Sequence, residues 1–244
     1  MTGAVSDDSF EATYAVDMHC DGCTKEIASC LKGIPGLQLQ FDVAKQMMSV
    51  KGCVAPSVII STLQKCGRDA IIRGTGKPNS AAVSILETFE TISKNDTPVR
   101  GLARIVSVSD TKTLFDITLN GVPHPGKFYA SVRACGDISK GPESTGNLYY
   151  KFPEPIECNS PSDLGKDLYS GQAFLSAPLR VWDLIGRSFH VTSDPNHRTG
   201  HGYEMCGVIA RSAGVWENDK QVCACSGKTV WQERKDALDR NITN

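Results

Sequence analysis

Over residues 10–74, apolar patterns typical of strands and of helices follow one another in an order that occurs in few folds. Strands are predicted at residues 10–16, 37–43, 47–54 and 69–73, and helices at residues 24–31 and 57–66. Ala55-Pro56-Ser57 opens the second helix, with Ser57 as the expected N-cap. The resulting order predicts a ferredoxin-like βαββαβ domain, which we bound at residues 8–76.

A breaker-rich segment, residues 74–80, is predicted to link this unit to a domain of another class. Beyond it, short strand-like runs alternate with turns, and no helical stretch intervenes. The runs lie at residues 82–86, 101–107, 114–119, 127–133, 187–191 and 206–210. This spacing predicts an antiparallel barrel or sandwich over residues 77–216, and thus an α+β multidomain chain.

The last segment, residues 217–244, is expected to be a short flexible tail. Thr229-Val230-Trp231-Gln232 has the pattern of a capping box, which predicts a helix start. Trp231, Leu238 and Ile242 would give that helix only a thin apolar stripe. Because so little apolar surface rarely folds alone, we expect the tail to order on a partner.

Charge and hydropathy exclude several classes of function. The formal net charge is −1 and the chain has no run of like charges, which argues against nucleic acid as a partner. No apolar run approaches the roughly 20 residues of a membrane span. The first residues lack the basic start and apolar centre of a signal peptide, so a cytoplasmic protein is expected.

Ten cysteines are many for a reducing compartment and indicate metal or redox work. Cys20 and Cys23 form a CxxC pair between the first strand and the first helix, whose N-terminus lowers thiol pKa. Two thiolates suit Cu(I), whereas zinc needs four ligands and is not expected. His19 is a candidate third ligand, and Met18 is expected in the core. A thioredoxin-type redox pair is the alternative for an isolated CxxC.

A second pair, Cys223 and Cys225, lies near the end of the chain. In an extended backbone, residues i and i+2 point to the same side. Both sulfurs can therefore bind one Cu(I) ion or exchange with one foreign disulfide. The spacing does not decide between metal ligation and thiol–disulfide exchange, so both roles are predicted for this pair.

The remaining cysteines receive weaker assignments. Cys30 and Cys66 fall at the C-terminal ends of the two predicted helices. They form either a structural disulfide or two buried free thiols, and both alternatives stay open. Cys53, Cys135 and Cys158 have no predicted role.

The N-terminal unit resembles a known family through the residues around its thiols. Met18-x-Cys20-x-x-Cys23 follows the first strand of a βαββαβ unit, as in the heavy-metal-associated domain of copper chaperones and copper ATPases. The resemblance implies that Cys20 and Cys23 bind Cu(I) on an exposed loop.

The second domain resembles Cu,Zn superoxide dismutase. Five motifs occur in the order of that family: Gly136-Asp137, Glu143–Gly146, Asp163–Gly165, Leu184–Arg187 and Cys206–Ala210. The resemblance implies a Greek-key β-barrel of eight strands.

The metal site of that family does not carry over to this chain. Ser131 and Arg133 stand where the paired copper histidines are expected, and Thr192 stands where the late one is. Tyr203 replaces the active-site arginine, and Asp163 alone remains of the zinc ligands. An active dismutase is therefore not expected.

The dimer face of the dismutase corresponds here to one turn and the last barrel strand. Its residues are Ile185, Gly186, Arg187, Gly207, Val208 and Ile209. An isologous patch of this kind can pair with a related subunit as well as with a second copy. We therefore expect docking to a dismutase subunit, and leave open whether the free protein is a homodimer.

Together, the three parts resemble the copper chaperones for superoxide dismutase, of the fungal kind. The resemblance implies a heterodimer with immature Cu,Zn superoxide dismutase, delivery of Cu(I) and promotion of the target's intrasubunit disulfide. It also admits the mitochondrial intermembrane space beside the cytoplasm. The alternative is a copper-binding thiol-disulfide oxidoreductase of broader specificity. The route of copper between the two thiol pairs is left open.

Overall fold

The computed structural model describes residues 8–90, 98–222 and 225–240. The first domain has the elements β1 (Phe10–Val16), α1 (Asp21–Leu31), β2 (Gln38–Asp42), β3 (Met47–Gly52), α2 (Pro56–Lys65) and β4 (Ala70–Thr75). The strands form one sheet in the order β2-β3-β1-β4, and every pairing is antiparallel. This confirms the ferredoxin-like arrangement.

Alternate residues of each strand point to the same side of the sheet, so their apolar side chains form one face. Both helices pack on that face. Tyr14 and Met48 of the sheet are fully buried against Ile27 of α1 and Ile59 of α2. Met18 is also fully buried in this core, as expected, and so fixes the start of the loop that carries the thiols.

The second domain is built on an antiparallel sheet. Its strands are β5 (Ala81–Thr88), β6 (Val99–Ser109), β7 (Lys112–Val122), β8 (Gly126–Arg133), β9 (Ser139–Pro142), β10 (Leu148–Lys151), β11 (Ile156–Cys158), β12 (Ser160–Pro161), β13 (Tyr169–Ala177), β14 (Ser188–Thr192), β15 (Glu204–Val208) and β16 (Ala210–Arg211). Two short helical segments accompany them, a 3-10 turn at Glu143–Thr145 and α3 (Val181–Leu184). The main strand order is β10-β8-β14-β15-β5-β6-β7-β13-β12.

Three buried aromatic rings lie at the centre of this domain. The ring centroid of Phe115 lies 4.8 Å from that of Phe152 and 6.0 Å from that of Phe189. Phe152 and Phe189 are 5.8 Å apart. The fold is consistent with the expected dismutase-like barrel after a heavy-metal-associated domain.

The segment that was expected to be a linker is instead tied down by backbone hydrogen bonds. Gly76 N–H donates to Glu11 O at 2.8 Å, and Thr75 N–H donates to Ala213 O at 3.0 Å. Gly74 has no room for a Cβ atom, which would collide with the carbonyl group of Gly214. The two domains are therefore held together where the chain passes between them.

The tail contains α4 (Val230–Asp239), which begins with the predicted capping box at Thr229 and Gln232. We expected the tail to order on a partner. Its described residues contact the first domain of the same chain instead, where Trp231 packs near Met47. Among the residues that the structure describes, no helix is long and apolar enough to cross a membrane.

Candidate functional site

The loop between β1 and α1 brings the first two thiols together. Cys20 has extended backbone angles and is the N-cap residue of α1. Its carbonyl oxygen accepts from the backbone N–H of Cys23 at 3.1 Å and from that of Thr24 at 3.4 Å. This tight first turn leaves the Cys20 and Cys23 sulfurs 3.8 Å apart. Cys20 is exposed and Cys23 is half-buried, so one small ion can reach both from solvent.

Hydrogen bonds lower the pKa of Cys23 below its ordinary value. The largest cause is the backbone amide of His19, followed by the side chain of Cys20, and the Arg68 side chain adds a smaller effect. Arg68 is held there by Glu26, at 2.5 Å, and by the carbonyl oxygen of Asp17, at 3.0 Å. Because the thiolate is the form that binds metal, this environment prepares Cys23 for ligation.

The His19 side chain is 72% exposed, and other residues engage both its nitrogens. Its Nε2 atom lies 2.9 Å from Asp17 Oδ1, and its Nδ1 atom lies 3.3 Å from Gln46 Nε2. The two thiols are therefore the candidate ligands, and His19 is engaged by Asp17 and Gln46 instead. No sequence pattern points to Asp17, Gln46 or Arg68, because these residues reach the loop through the fold.

The remaining described cysteines differ in their surroundings. Cys30 and Cys66 form a disulfide with a Cα–Cα distance of 6.4 Å, which links the two helices. Cys53 is exposed. Cys158 and Cys206 are buried, and burial raises the pKa of each thiol to about 12. These two thiols stay protonated at neutral pH and have the character of core residues.

Of the predicted tail pair, Cys225 is an exposed free thiol. Cys223 lies outside the described residues. Cys225 occupies the turn between two positions that form an isolated antiparallel bridge, Val222 and Thr229. The bridge holds the base of this turn, while the thiol faces solvent.

The predicted docking residues form one continuous feature of the barrel surface. Gly186 N–H donates to Ile209 O at 3.0 Å, and Ile209 N–H donates to Arg187 O at 2.8 Å. The guanidinium carbon of Arg187 lies 3.8 Å from the ring centroid of Tyr149. These bonds fix the turn after α3 against the end of β15.

Within this feature, the residues differ in what they offer to a partner. Val208 is 38% exposed and Gly186 is also exposed, while Ile185 and Arg187 are half-buried. Gly207 and Ile209 are buried. Gly207 has no room for a Cβ atom, which would collide with the carbonyl group of Ile85. The buried residues therefore support the surface, and Val208 is its exposed apolar residue.

A buried polar cluster around Arg133 includes Ser131, and these two residues stand at positions where the dismutase resemblance places copper histidines. Ser131 and His190 are neighbours on β8 and β14, with Oγ and Nδ1 3.4 Å apart. His190 Nε2 lies 3.3 Å from Glu204 Oε1. The buried Arg133 guanidinium donates to the carbonyl oxygen of His197. A permanent positive charge at this place repels a metal cation. Among the described residues, no group of three or more His, Cys, Asp or Glu side chains is placed to hold a metal ion.

Comparison with known proteins agrees with this description of the molecule. The heavy-metal-associated domain family matches residues 13–69. A Candida glabrata protein named superoxide dismutase 1 copper chaperone is 66% identical, over 96% of this chain and 98% of the relative. The Saccharomyces cerevisiae protein of the same name is 61% identical, over 97% and 99%. The Sus scrofa copper chaperone for superoxide dismutase is 30% identical, over 91% and 88%.

Proposed function

The chain belongs to the family of copper chaperones for superoxide dismutase, and on that premise we propose that it delivers copper to a Cu,Zn superoxide dismutase. The observation that carries the proposal is the exposed thiol pair, with the Cys20 and Cys23 sulfurs 3.8 Å apart. Two soft thiolates at the N-terminus of a helix fit Cu(I) as cargo. Since the loop is open to solvent, the ion can pass to another protein by ligand exchange.

We further propose that the barrel docks the immature dismutase as a heterodimer. Support comes from the ordered turn at Gly186 and Arg187, and from the exposed Val208 beside it. An isologous face can accept a related subunit in place of a second copy of this chain. With Arg133 at a position where the dismutase resemblance expects a copper ligand, we assign the barrel the role of a recognition module.

The tail pair acts on the docked target in this proposal. If Cys223 and Cys225 are joined as a disulfide, a dismutase thiolate attacks one of their sulfurs and forms a mixed disulfide. A second dismutase thiolate then attacks that bond. The target gains its intrasubunit disulfide, and the tail is left with two thiols. Exposure of Cys225 supports access to a foreign sulfur. We place this work in the cytoplasm.

Activation of copper-free, disulfide-reduced dismutase tests these roles separately. The protein loaded with Cu(I) should activate the target. Cys20→Ser combined with Cys23→Ser should remove copper loading of the first domain. Cys223→Ser combined with Cys225→Ser should abolish activation and leave co-elution intact. Full activation by the tail variant would refute the role of the tail.

Copper-independent turnover of unrelated disulfides would favour a general thiol oxidoreductase.

Docking has its own matched pair of variants. Val208→Glu places a charge on the proposed face, and Phe174→Glu places one on β13, four strands away in the sheet order. The two side chains have similar exposure, 38% and 37%. We expect Val208→Glu to weaken co-elution with the dismutase and Phe174→Glu to leave it unchanged. Equal effects of both variants would place the contact elsewhere.

A further inference from the structure

The tail covers the face of the first sheet that the helices leave open. Alternation along the strands sends Ala15, Met47 and Ile71 to this face, whereas their neighbours point into the helical core. Ala15 lies directly across from Met47 on one side and Ile71 on the other. Val230 and Trp231 of the tail, together with Trp216 just before it, pack on these three residues.

Polar contacts surround this small apolar cluster. Arg73 Nε donates to Asn218 O at 3.1 Å, and its Nη2 atom donates to Asn218 Oδ1 at 3.0 Å and to Lys220 O at 2.5 Å. Burial against the tail accounts for the lowered pKa of Arg73. At the other end of the contact, Arg234 Nε lies 2.9 Å from Asp69 Oδ2. The tail is thus recognised along its length, at the level of both backbone and side chains.

We propose that this open face of β1, β3 and β4 is a docking surface for the tail of the same chain, through its described residues 218–222 and 225–234. It acts as a latch that holds the tail against the first domain in the free protein. The helix α4 has ten residues, and helices shorter than about 12 to 15 residues are marginal in water on their own. Its stability therefore depends on the contacts of Val230, Trp231 and Arg234 with the first domain.

The latch has a defined point of release. Residues 213–215 are fixed to the end of β4 by backbone bonds, including Val215 N–H to Gly76 O at 2.9 Å. Trp216 follows with a φ of 63°, which a bulky residue rarely adopts. Beyond this point, side chains make most of the contacts with the first domain. Once released after Glu217, the eight residues to Cys225 can span about 28 Å.

Docking holds the tail next to the loop of the first thiol pair. Gln221 Nε2 donates to Lys45 O at 2.7 Å. The next residue, Gln46, contacts both Asp17 and His19 of the thiol loop. The consequence for copper delivery rests on the proposed function. In the free protein the docked tail lies beside the loop of Cys20 and Cys23, and it must detach from the sheet to reach a docked target.

Hydrogen exchange of the free full-length protein, without copper or dismutase, tests the latch. The readout is the protection of the α4 amides. Arg73→Ala removes the hydrogen bonds that the first domain donates to Asn218 and Lys220. Trp231→Ala removes an apolar side chain of the tail that packs on the sheet. Lys235→Ala is the matched control, because this cation is exposed on the same helix. The amides of β1 and β3 report whether the first domain is still folded.

We expect the α4 amides to exchange at least tenfold faster in Arg73→Ala and in Trp231→Ala, and at the unmodified rate in Lys235→Ala. Protection of β1 and β3 should remain in all three. The latch is refuted if α4 in the unmodified protein exchanges like an unstructured peptide, or if both loosening variants keep its protection. Neither result depends on copper delivery, so the proposed function can fail or stand independently.

Discussion

Ser57, in the first turn of α2, donates both its backbone N–H and its hydroxyl group to the carboxylate of Asp116 in the barrel. The distances are 2.8 Å to Oδ2 and 2.5 Å to Oδ1. Arg104 approaches the same carboxylate, with Nη1 3.6 Å from Oδ2, and both charged side chains are buried. A charge pair removed from water is stable only with such additional hydrogen bonds. This triad fixes the orientation of the first domain on the barrel.

Removal of the carboxylate should therefore destabilise the whole chain. We expect Asp116→Ala to lower the free energy of unfolding by about 3–5 kcal/mol, because Arg104 is left as an uncompensated buried charge. Ser57→Ala should cost about 1–2 kcal/mol through the lost hydroxyl bond. Urea denaturation measures both. Ser61→Ala is the control, since its hydroxyl donates to Val58 O within the same helix. A small effect of Asp116→Ala would show that the triad does not join the domains.

Ser57 also shows where sequence reasoning stops. A serine after Ala55-Pro56 is typical of a helix start, and the sequence predicts the helix and its position correctly. The N-cap is Ala55, however, with Pro56 as the first helical residue. The serine hydroxyl is used between domains. A partner 59 residues away along the chain leaves no local pattern, so the sequence predicts the helix but not the contact.

The disulfide between the helices gives a second prediction. It closes a loop with a sequence separation of 36, and cross-linking a loop of this size restricts the unfolded chain. We expect Cys30→Ser or Cys66→Ser to lower the free energy of unfolding by roughly 2–4 kcal/mol. Urea denaturation without reductant measures the loss. Cys53→Ser, at an exposed free thiol, should have little effect. Reductant should destabilise the unmodified protein and not the Cys30→Ser variant; an equal effect on both would contradict the prediction.

The thiol loop gives a third prediction, which concerns reactivity. Arg68 is one of the groups that lower the pKa of Cys23, so Arg68→Ala should raise that pKa. Less thiolate is then present near neutral pH, and alkylation by iodoacetamide should slow at Cys23. Site-resolved mass spectrometry of the copper-free protein measures the rate against pH. Lys25→Ala is the control, as an exposed cation on the same helix. Equal profiles for Arg68→Ala and the unmodified protein would remove Arg68 from the site.

The candidate site was predictable from sequence only in its local part. Cys20 and Cys23 are three residues apart at a strand-to-helix junction, so spacing alone predicts that their sulfurs converge. Arg68 reaches Cys23 from the other end of the domain. For the tail, the weak apolar stripe predicts order only on a partner. The face of the first sheet that binds the tail could not be predicted, because Ala15 and Met47 fit the pattern of ordinary strand residues.

Strand prediction in the barrel failed where burial is weak. β13 spans nine residues, Tyr169–Ala177, yet it was not predicted. Only Leu175 and Ala177 of this strand are buried, so the apolar alternation that reveals a strand is nearly lost. β7, whose residues are almost all buried, was predicted in its central part. Long-range pairing with β7, not local pattern, makes Tyr169–Ala177 a strand.

The histidines of the barrel give the last prediction, on stability against pH. Burial is the main cause that lowers the pKa of His197 to about 4, and it lowers the pKa of His190 as well. In the unfolded chain a histidine titrates near pH 6.5. Between these values the unfolded state binds more protons than the folded state. Stability therefore falls as pH decreases from about 6.5 towards about 4.

We expect protonation of His197 in the unfolded chain to remove roughly 2 kcal/mol of stability between about pH 7 and about pH 4.5. His197→Gln cannot take up the proton, so its stability should decline less over the same interval. Urea denaturation at several pH values measures the slope, and His201→Gln is the control at an exposed imidazole. Carboxylates titrate equally in all three proteins, so the difference in slope isolates His197. If His197→Gln and His201→Gln show the same slope, the buried imidazole does not govern acid stability.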